Sequence, residues 1–156
     1  MSIKNDGYNY YCYNDIAKFN KTVIKKFITY IKREKLNFTH IACSGASGLM
    51  AATLLAEQLN KPIIYIRQPG TRTHGSPIEF GGKQSIKNIR ILIIDDFMDT
   101  GTTIKRIVNK IIKYYPSLKF VGVYFYSRRK FCTLNNISNY DDKKLFSQKV
   151  IENYGI

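Results

Sequence analysis

Apolar positions in this chain recur in two alternating rhythms. Ile16, Phe19, Val23, Phe27, Ile28 and Ile31 fall at helical spacing, and Asn14 or Asp15 stands where a cap would start that helix. Phe38 to Cys43 reads as a short strand, followed by a small-residue helix over Gly48 to Leu59 that carries Leu49, Met50, Ala52, Leu55 and Leu59. Pro62 opens a strand over Ile63 to Ile66. Ile89 to Ile94 is nearly all apolar, as expected of a central strand buried on both faces. Ile104, Ile107, Val108, Ile111 and Ile112 mark the inner face of another helix, and Phe120 to Tyr126 reads as a further strand. Strands alternating with helices imply right-handed crossovers and a parallel sheet. The expected fold is α/β, a central mostly parallel sheet flanked by helices.

One stretch breaks the rhythm. Arg67 to Lys87 holds Pro69, Gly70, Gly75, Pro77, Gly81 and Gly82, which predicts a long loop of the kind used as a lid or binding loop. The 156 residues contain no repeat or low-complexity linker, so a single domain is expected. With 44% hydrophobic and 23% charged residues, the chain can build a core and is not disordered in composition. No apolar run is long enough to cross a bilayer, and Met1 is followed by polar Ser2, Lys4, Asn5 and Asp6 rather than a signal-peptide core. A cytoplasmic protein with no membrane contact is expected. Cys12, Cys43 and Cys132 follow no metal-ligand spacing, and His40 and His74 are the only histidines, which argues against a zinc site.

The formal charge is +14, from 25 basic and 11 acidic residues. A basic surface attracts polyanions, nucleic acid and phosphorylated small molecules alike. Most lysines lie on amphipathic stretches where a solvated face explains them, so nucleic-acid binding is possible but not favoured. The acids are more informative: three of them fall within Asp95 to Asp99, directly after the apolar run.

That segment reads Ile91-Leu92-Ile93-Ile94-Asp95-Asp96-Phe97-Met98-Asp99-Thr100-Gly101-Thr102-Thr103. Ligands of doubly wound sheets bind beyond the carboxyl ends of strands, where Asp95 and Asp96 would sit. Adjacent carboxylates are costly to bury alone, and they can accept bonds from vicinal hydroxyls, directly or through hydrated Mg²⁺. Thr100-Gly101-Thr102-Thr103 enters the next helix, where free backbone N–H groups and the positive helix end cradle phosphate. Diol acceptors beside a phosphate cradle describe a receptor for ribose 5-phosphate. The spacing Asp95-Asp96-x-x-Asp99 also fits the metal-diphosphate motif of terpene synthases, but those are all-helical. A receiver-like domain would need no Thr-Gly-Thr-Thr turn, a solvated helix cap accounts for Asp99 or Thr100 alone, and no Walker A sequence is present.

The segment closely resembles the phosphoribosyl-diphosphate motif of type I phosphoribosyltransferases, and the resemblance covers roughly Phe38 to Tyr126. It implies that Asp95 and Asp96 engage the ribose hydroxyls and the metal, and that Thr100, Gly101, Thr102 and Thr103 hold the 5-phosphate. It implies a catalytic role for Asp99 near the purine N7, which prefers a 6-oxopurine substrate over orotate. It further implies that 5-phosphoribosyl-1-diphosphate and a nucleobase are the substrates, Mg²⁺ the cofactor and a homodimer the assembly. Backbone amides from Ser44, Gly45, Ala46, Ser47 and Gly48 would hold the diphosphate, in a loop that often contains a strained non-proline cis peptide.

The loop after Ile66 occupies the family's catalytic-loop position, so Arg67, Arg72 and His74 would approach the leaving diphosphate on closure. For His74, an exposed loop histidine is the competing reading. Arg67 to Gly75 is similar to the orotate enzymes but has Gln68 in place of a customary lysine, whereas Ile78-Glu79-Phe80-Gly81 is similar to the adenine enzymes. After the last strand, Arg128 or Arg129 would contact the base, with Tyr126 or Phe131 stacking on it; a basic surface turn is the alternative. The tail from Cys132 to Ile156 leaves room for a minimal hood. The rival function is a non-catalytic regulator that senses the sugar diphosphate and binds RNA or DNA through a basic face.

Overall fold

The computed structural model describes residues 21–70, 76–81, 88–96, 101–126 and 130–133. The first helix, α1, runs over Lys21–Arg33, and Val23, Ile24, Phe27, Tyr30 and Ile31 form its buried stripe. The proposed cap at Asn14 or Asp15 lies outside the described residues. Strand β1 (His40–Ser44) leads straight into α2 (Gly45–Leu59), and then come β2 (Ile63–Ile66), β3 (Ile78–Phe80) and β4 (Arg90–Asp95). Helix α3 (Thr102–Tyr114), β5 (Lys119–Phe125) and β6 (Lys130–Thr133) complete the order.

The strands form a six-stranded sheet in the order β3-β2-β1-β4-β5-β6. The four inner strands pair in parallel, and the edges β3 and β6 run antiparallel to their neighbours. Side chains alternate across the sheet, so each strand feeds two cores. Ile41, Cys43, Leu92, Ile94 and Tyr124 face α1 and α2. Ala42, Ile64, Ile66, Ile91, Ile93 and Val123 face α3, where Ile104, Ile107, Val108 and Ile111 meet them. The apolar run of β4 is therefore buried on both faces, as a central parallel strand requires.

Three expectations need correction. Arg67 to Lys87 is not an uninterrupted loop, because β3 folds back onto β2 with Ile78 buried and the Phe80 ring edge-on to Tyr115 at 4.8 Å. Helix α2 begins at Gly45 rather than Gly48: Gly45 adopts φ +73, a left-handed turn open to glycine, and the chain passes from strand to helix with no intervening loop. Every peptide bond among the described residues is trans. The third correction is β6, which pairs with β5 and carries Phe131 into the core.

Phe131 is fully buried, tilted against Tyr30 at 5.7 Å between ring centroids. It fits because its diagonal neighbour on β5 is side-chain-free: a Cβ on Gly122 would overlap both the Phe131 ring and the Cys132 carbonyl. A core this close-packed resists added volume. Gly122→Ala should therefore destabilise the protein by about 1–3 kcal/mol, read as a lower midpoint of urea unfolding at unchanged slope. An unchanged midpoint would contradict this packing.

Candidate active site

Strands β1 and β4 are neighbours and parallel, yet their chains leave in opposite directions. β1 continues into α2 over one face of the sheet, and β4 leads to α3 over the other. The crevice beyond their carboxyl ends is a topological switch point, the place where open α/β sheets bind ligands. His40 pairs with Ile91 and Ala42 with Ile93, so the same register brings Ser44 level with Asp95 at the rim.

Both helices start there without help from side chains. Neither Ser44 before α2 nor Gly101 before α3 caps its helix with a side-chain hydrogen bond, and neither first turn contains an acid. The first N–H groups of an α-helix have no partner within the helix, and the macrodipole makes that end positive. Two such ends flank one crevice. Gly101 sits at φ 75, which sets the sharp entry to α3, and its carbonyl accepts the Lys105 N–H at 3.0 Å.

Asp95 closes the crevice from below. It is 5% exposed, its Oδ1 accepts the Asp96 N–H at 3.1 Å, and its backbone carbonyl accepts the Tyr126 N–H at 3.1 Å. Burial and then the charge of Asp96 push its carboxyl up to about 8, with Arg106 on α3 pulling the other way. Helix α2 approaches closely through Gly48, where a Cβ would stand 3.5 Å from the Ile94 carbonyl oxygen and 3.9 Å from Asp95 Oδ1. Burial, with a smaller contribution from Asp95, likewise pushes the Cys43 thiol up to about 12, so Cys43 is an inert core thiol.

The structure brings Ser44, Gly45, Ala46, Ser47 and Gly48 together with Asp95, Asp96, Gly101, Thr102 and Thr103 at this end of the sheet. Gly45 to Gly48 form the first turn of α2 rather than a separate loop. Tyr126 is buried at the end of β5, and its hydroxyl reaches the Ser47 carbonyl at 3.5 Å, so it lies beneath the turn and is not open to stack on a base. Phe131 is likewise excluded from stacking by its place in the core. Arg67, one residue beyond β2, donates from Nη2 to Glu79 on β3. Asp99, Thr100, Arg72, His74, Arg128 and Arg129 lie outside the described residues. Sequence reasoning missed Arg106 and the Arg67–Glu79 pairing. The signal for Arg106 is the Lys105-Arg106 pair in the second turn of the helix after the acids, and for the Arg67–Glu79 pair it is the short alternation Ile78-Glu79-Phe80.

The sequence model of the phosphoribosyl transferase domain matches residues 13–153, and the chain belongs to this family, the type I phosphoribosyltransferases. It is 32% identical over 81 residues to the orotate phosphoribosyltransferase of Coxiella burnetii, a match covering 52% of this chain and 38% of that one. It is 30% identical over 98 residues to the adenine phosphoribosyltransferase of a Marinomonas species, covering 55% of this chain and 54% of the relative. Among solved structures, the adenine phosphoribosyltransferase of Thermoanaerobacter pseudethanolicus shares the fold, with a TM-score of 0.53 at 22% identity over 73% of this chain and 70% of that one. The chain thus spans roughly half or less of the length of these curated relatives. Among the described residues, no helix is long and apolar enough to cross a membrane.

The raised proton affinity of Asp95 has a thermodynamic consequence. A carboxyl that holds its proton more tightly folded than unfolded favours folding at low pH and opposes it as pH rises toward 8. Asp95→Asn should therefore be more stable than wild type at pH 8, by about 5 °C in melting temperature, with the gap closing toward pH 4. Calorimetric scans across that range check it, and a gap independent of pH would contradict the buried state of this carboxyl.

Proposed function

We propose that the protein transfers the phosphoribosyl group of 5-phosphoribosyl-1-diphosphate to a ring nitrogen of a nucleobase, releasing diphosphate. The observation that carries this reading is the convergence of two uncapped helix starts and a buried carboxyl on one switch point. Membership of the phosphoribosyl transferase family supports it independently.

In this reading, the amides of Gly101, Thr102 and Thr103, with Thr100, anchor the 5-phosphate, and those of Gly45 to Gly48 hold the diphosphate at the other helix start. Asp95 and Asp96 accept from the ribose hydroxyls. Fixing both ends of the substrate leaves the anomeric carbon placed for attack, which removes entropic cost from the chemical step. Bond breaking to diphosphate leads, and oxocarbenium character develops at that carbon. Arg67, with Arg72 and His74 of the following loop, neutralises the departing diphosphate. Asp99 acts on the base.

Mg²⁺ fits the donor set. Asp95 and Asp96 are adjacent hard oxygen donors, and a cation beside them would oppose the burial and the Asp96 charge that raise the proton affinity of Asp95. Once bound, it would supply charge neutralisation to the leaving diphosphate.

Choice of base is the finer question. The named relatives act on orotate and on adenine by their descriptions, and Asp99 alone argues for a 6-oxopurine. The decisive assay offers hypoxanthine, guanine, adenine and orotate with Mg²⁺ and 5-phosphoribosyl-1-diphosphate, and follows diphosphate release. One base should turn over, and Asp95→Asn with Asp96→Asn should lower that turnover about a hundredfold or more while the circular dichroism spectrum is retained. Full activity in the double variant would refute the roles given to these acids. Tight, salt-sensitive nucleic-acid binding that responds to the sugar diphosphate, with no turnover of any base, would favour the regulator instead.

A further inference from the structure

Glu79 has no role in the function set out above, yet it holds one of that function's residues. Strands β2 and β3 run antiparallel with Tyr65 opposite Glu79, and the Arg67 N–H donates to the Pro77 carbonyl at 3.2 Å. Tyr65 packs against the core beneath α1 and α2, so strand alternation puts Arg67 and Glu79 on that same face. There the guanidinium Nη2 donates to Glu79 Oε1. Its Nε is buried without an acceptor. A guanidinium presents five donors in a rigid fork, and Glu79 engages one corner of it.

The pair stands beside the first turn of α2. Ser44 pairs with Ile66, so Arg67 follows the last strand residue next to the strand-to-helix turn. Its neighbour Gln68 reaches over that turn: a Cβ on Gly45 would stand 2.8 Å from Gln68 Nε2. The end of β2 and the start of α2 are thus in contact.

We propose that Glu79 is a positioning residue, which by holding Nη2 fixes the Arg67 guanidinium beside the start of α2 for a diphosphate bound there. This rests on the functional reading above. The pair is partly exposed, with side chains 24% and 49% accessible, so it contributes little to folding. Its contribution is orientation. A long cation already held in its bound rotamer loses less freedom when the anion arrives.

Titration calorimetry of 5-phosphoribosyl-1-diphosphate with Mg²⁺ tests this on the full chain. Glu79→Ala should weaken binding about tenfold, while Glu79→Gln, which still accepts a hydrogen bond, should stay within about threefold. Arg67→Ala should weaken it at least as much, and adding Glu79→Ala to that variant should cost nothing further, because the two act as one unit. Melting temperature should not move, and the KM for the base should stay within about twofold. Glu79→Ala binding as tightly as wild type or tighter overturns the proposal. So does an equal loss from Glu79→Ala in the Arg67→Ala background, or an effect confined to the base. Wild-type protein that binds no sugar diphosphate overturns the functional reading itself, an outcome visible before any substitution is made.

Discussion

The structure depends on one constraint, that two adjacent parallel strands send their helices to opposite faces of the sheet. β1 and β4 share a register, and their crossovers diverge because β2 and β5 lie on opposite sides of them. This arrangement aims two helix starts at the same gap. The divergence needs the sheet to be buried on both faces, which the unbroken apolar run of β4 supplies. It also brings α2 against β4, where a Cβ on Gly48 would lie within van der Waals contact of the Ile94 carbonyl. Core and site are thus built from the same residues.

The site places two adjacent acids at the end of a buried strand. Asp95 is buried next to Asp96, and its carboxyl retains a proton well above the usual carboxylate range. A sequence chosen for stability alone would not put adjacent acids at the end of the central strand. What makes the arrangement sensible is a ligand that brings hydroxyl donors and a cation to the acids and anions to the helix ends. Binding sites often carry such local conflict, with the remainder of the fold absorbing it.

Much of this was legible in the sequence, and where it was not the reasons are physical. The inner strands were visible because burial on both faces leaves continuous apolar runs, as in Ile91 to Ile94. The edge strands were not, because Ile78 to Phe80 is three residues long among glycines and prolines, and Lys130 to Thr133 adjoins a basic cluster. Glycine discourages a helix assignment, so the helix was expected to begin only at Gly48; the place of Gly45 comes from a left-handed turn that propensity does not register. Phe131 looked available to a base until Gly122 opened a slot for its ring in the core. The acids of the motif were legible from their pattern, but the proton affinity of Asp95 was not, since it follows first from its burial in the folded chain and then from the Asp96 charge beside it.

The central claim is that the two helix starts hold one molecule between them. Amide resonances of the protein, recorded by NMR during addition of 5-phosphoribosyl-1-diphosphate with Mg²⁺, test it most directly. The account predicts that the N–H groups of Gly45 to Gly48 and of Gly101 to Thr103 shift together along a single saturable curve. Movement of one set without the other, or shifts concentrated on the outer faces of α1 and α3, would contradict it.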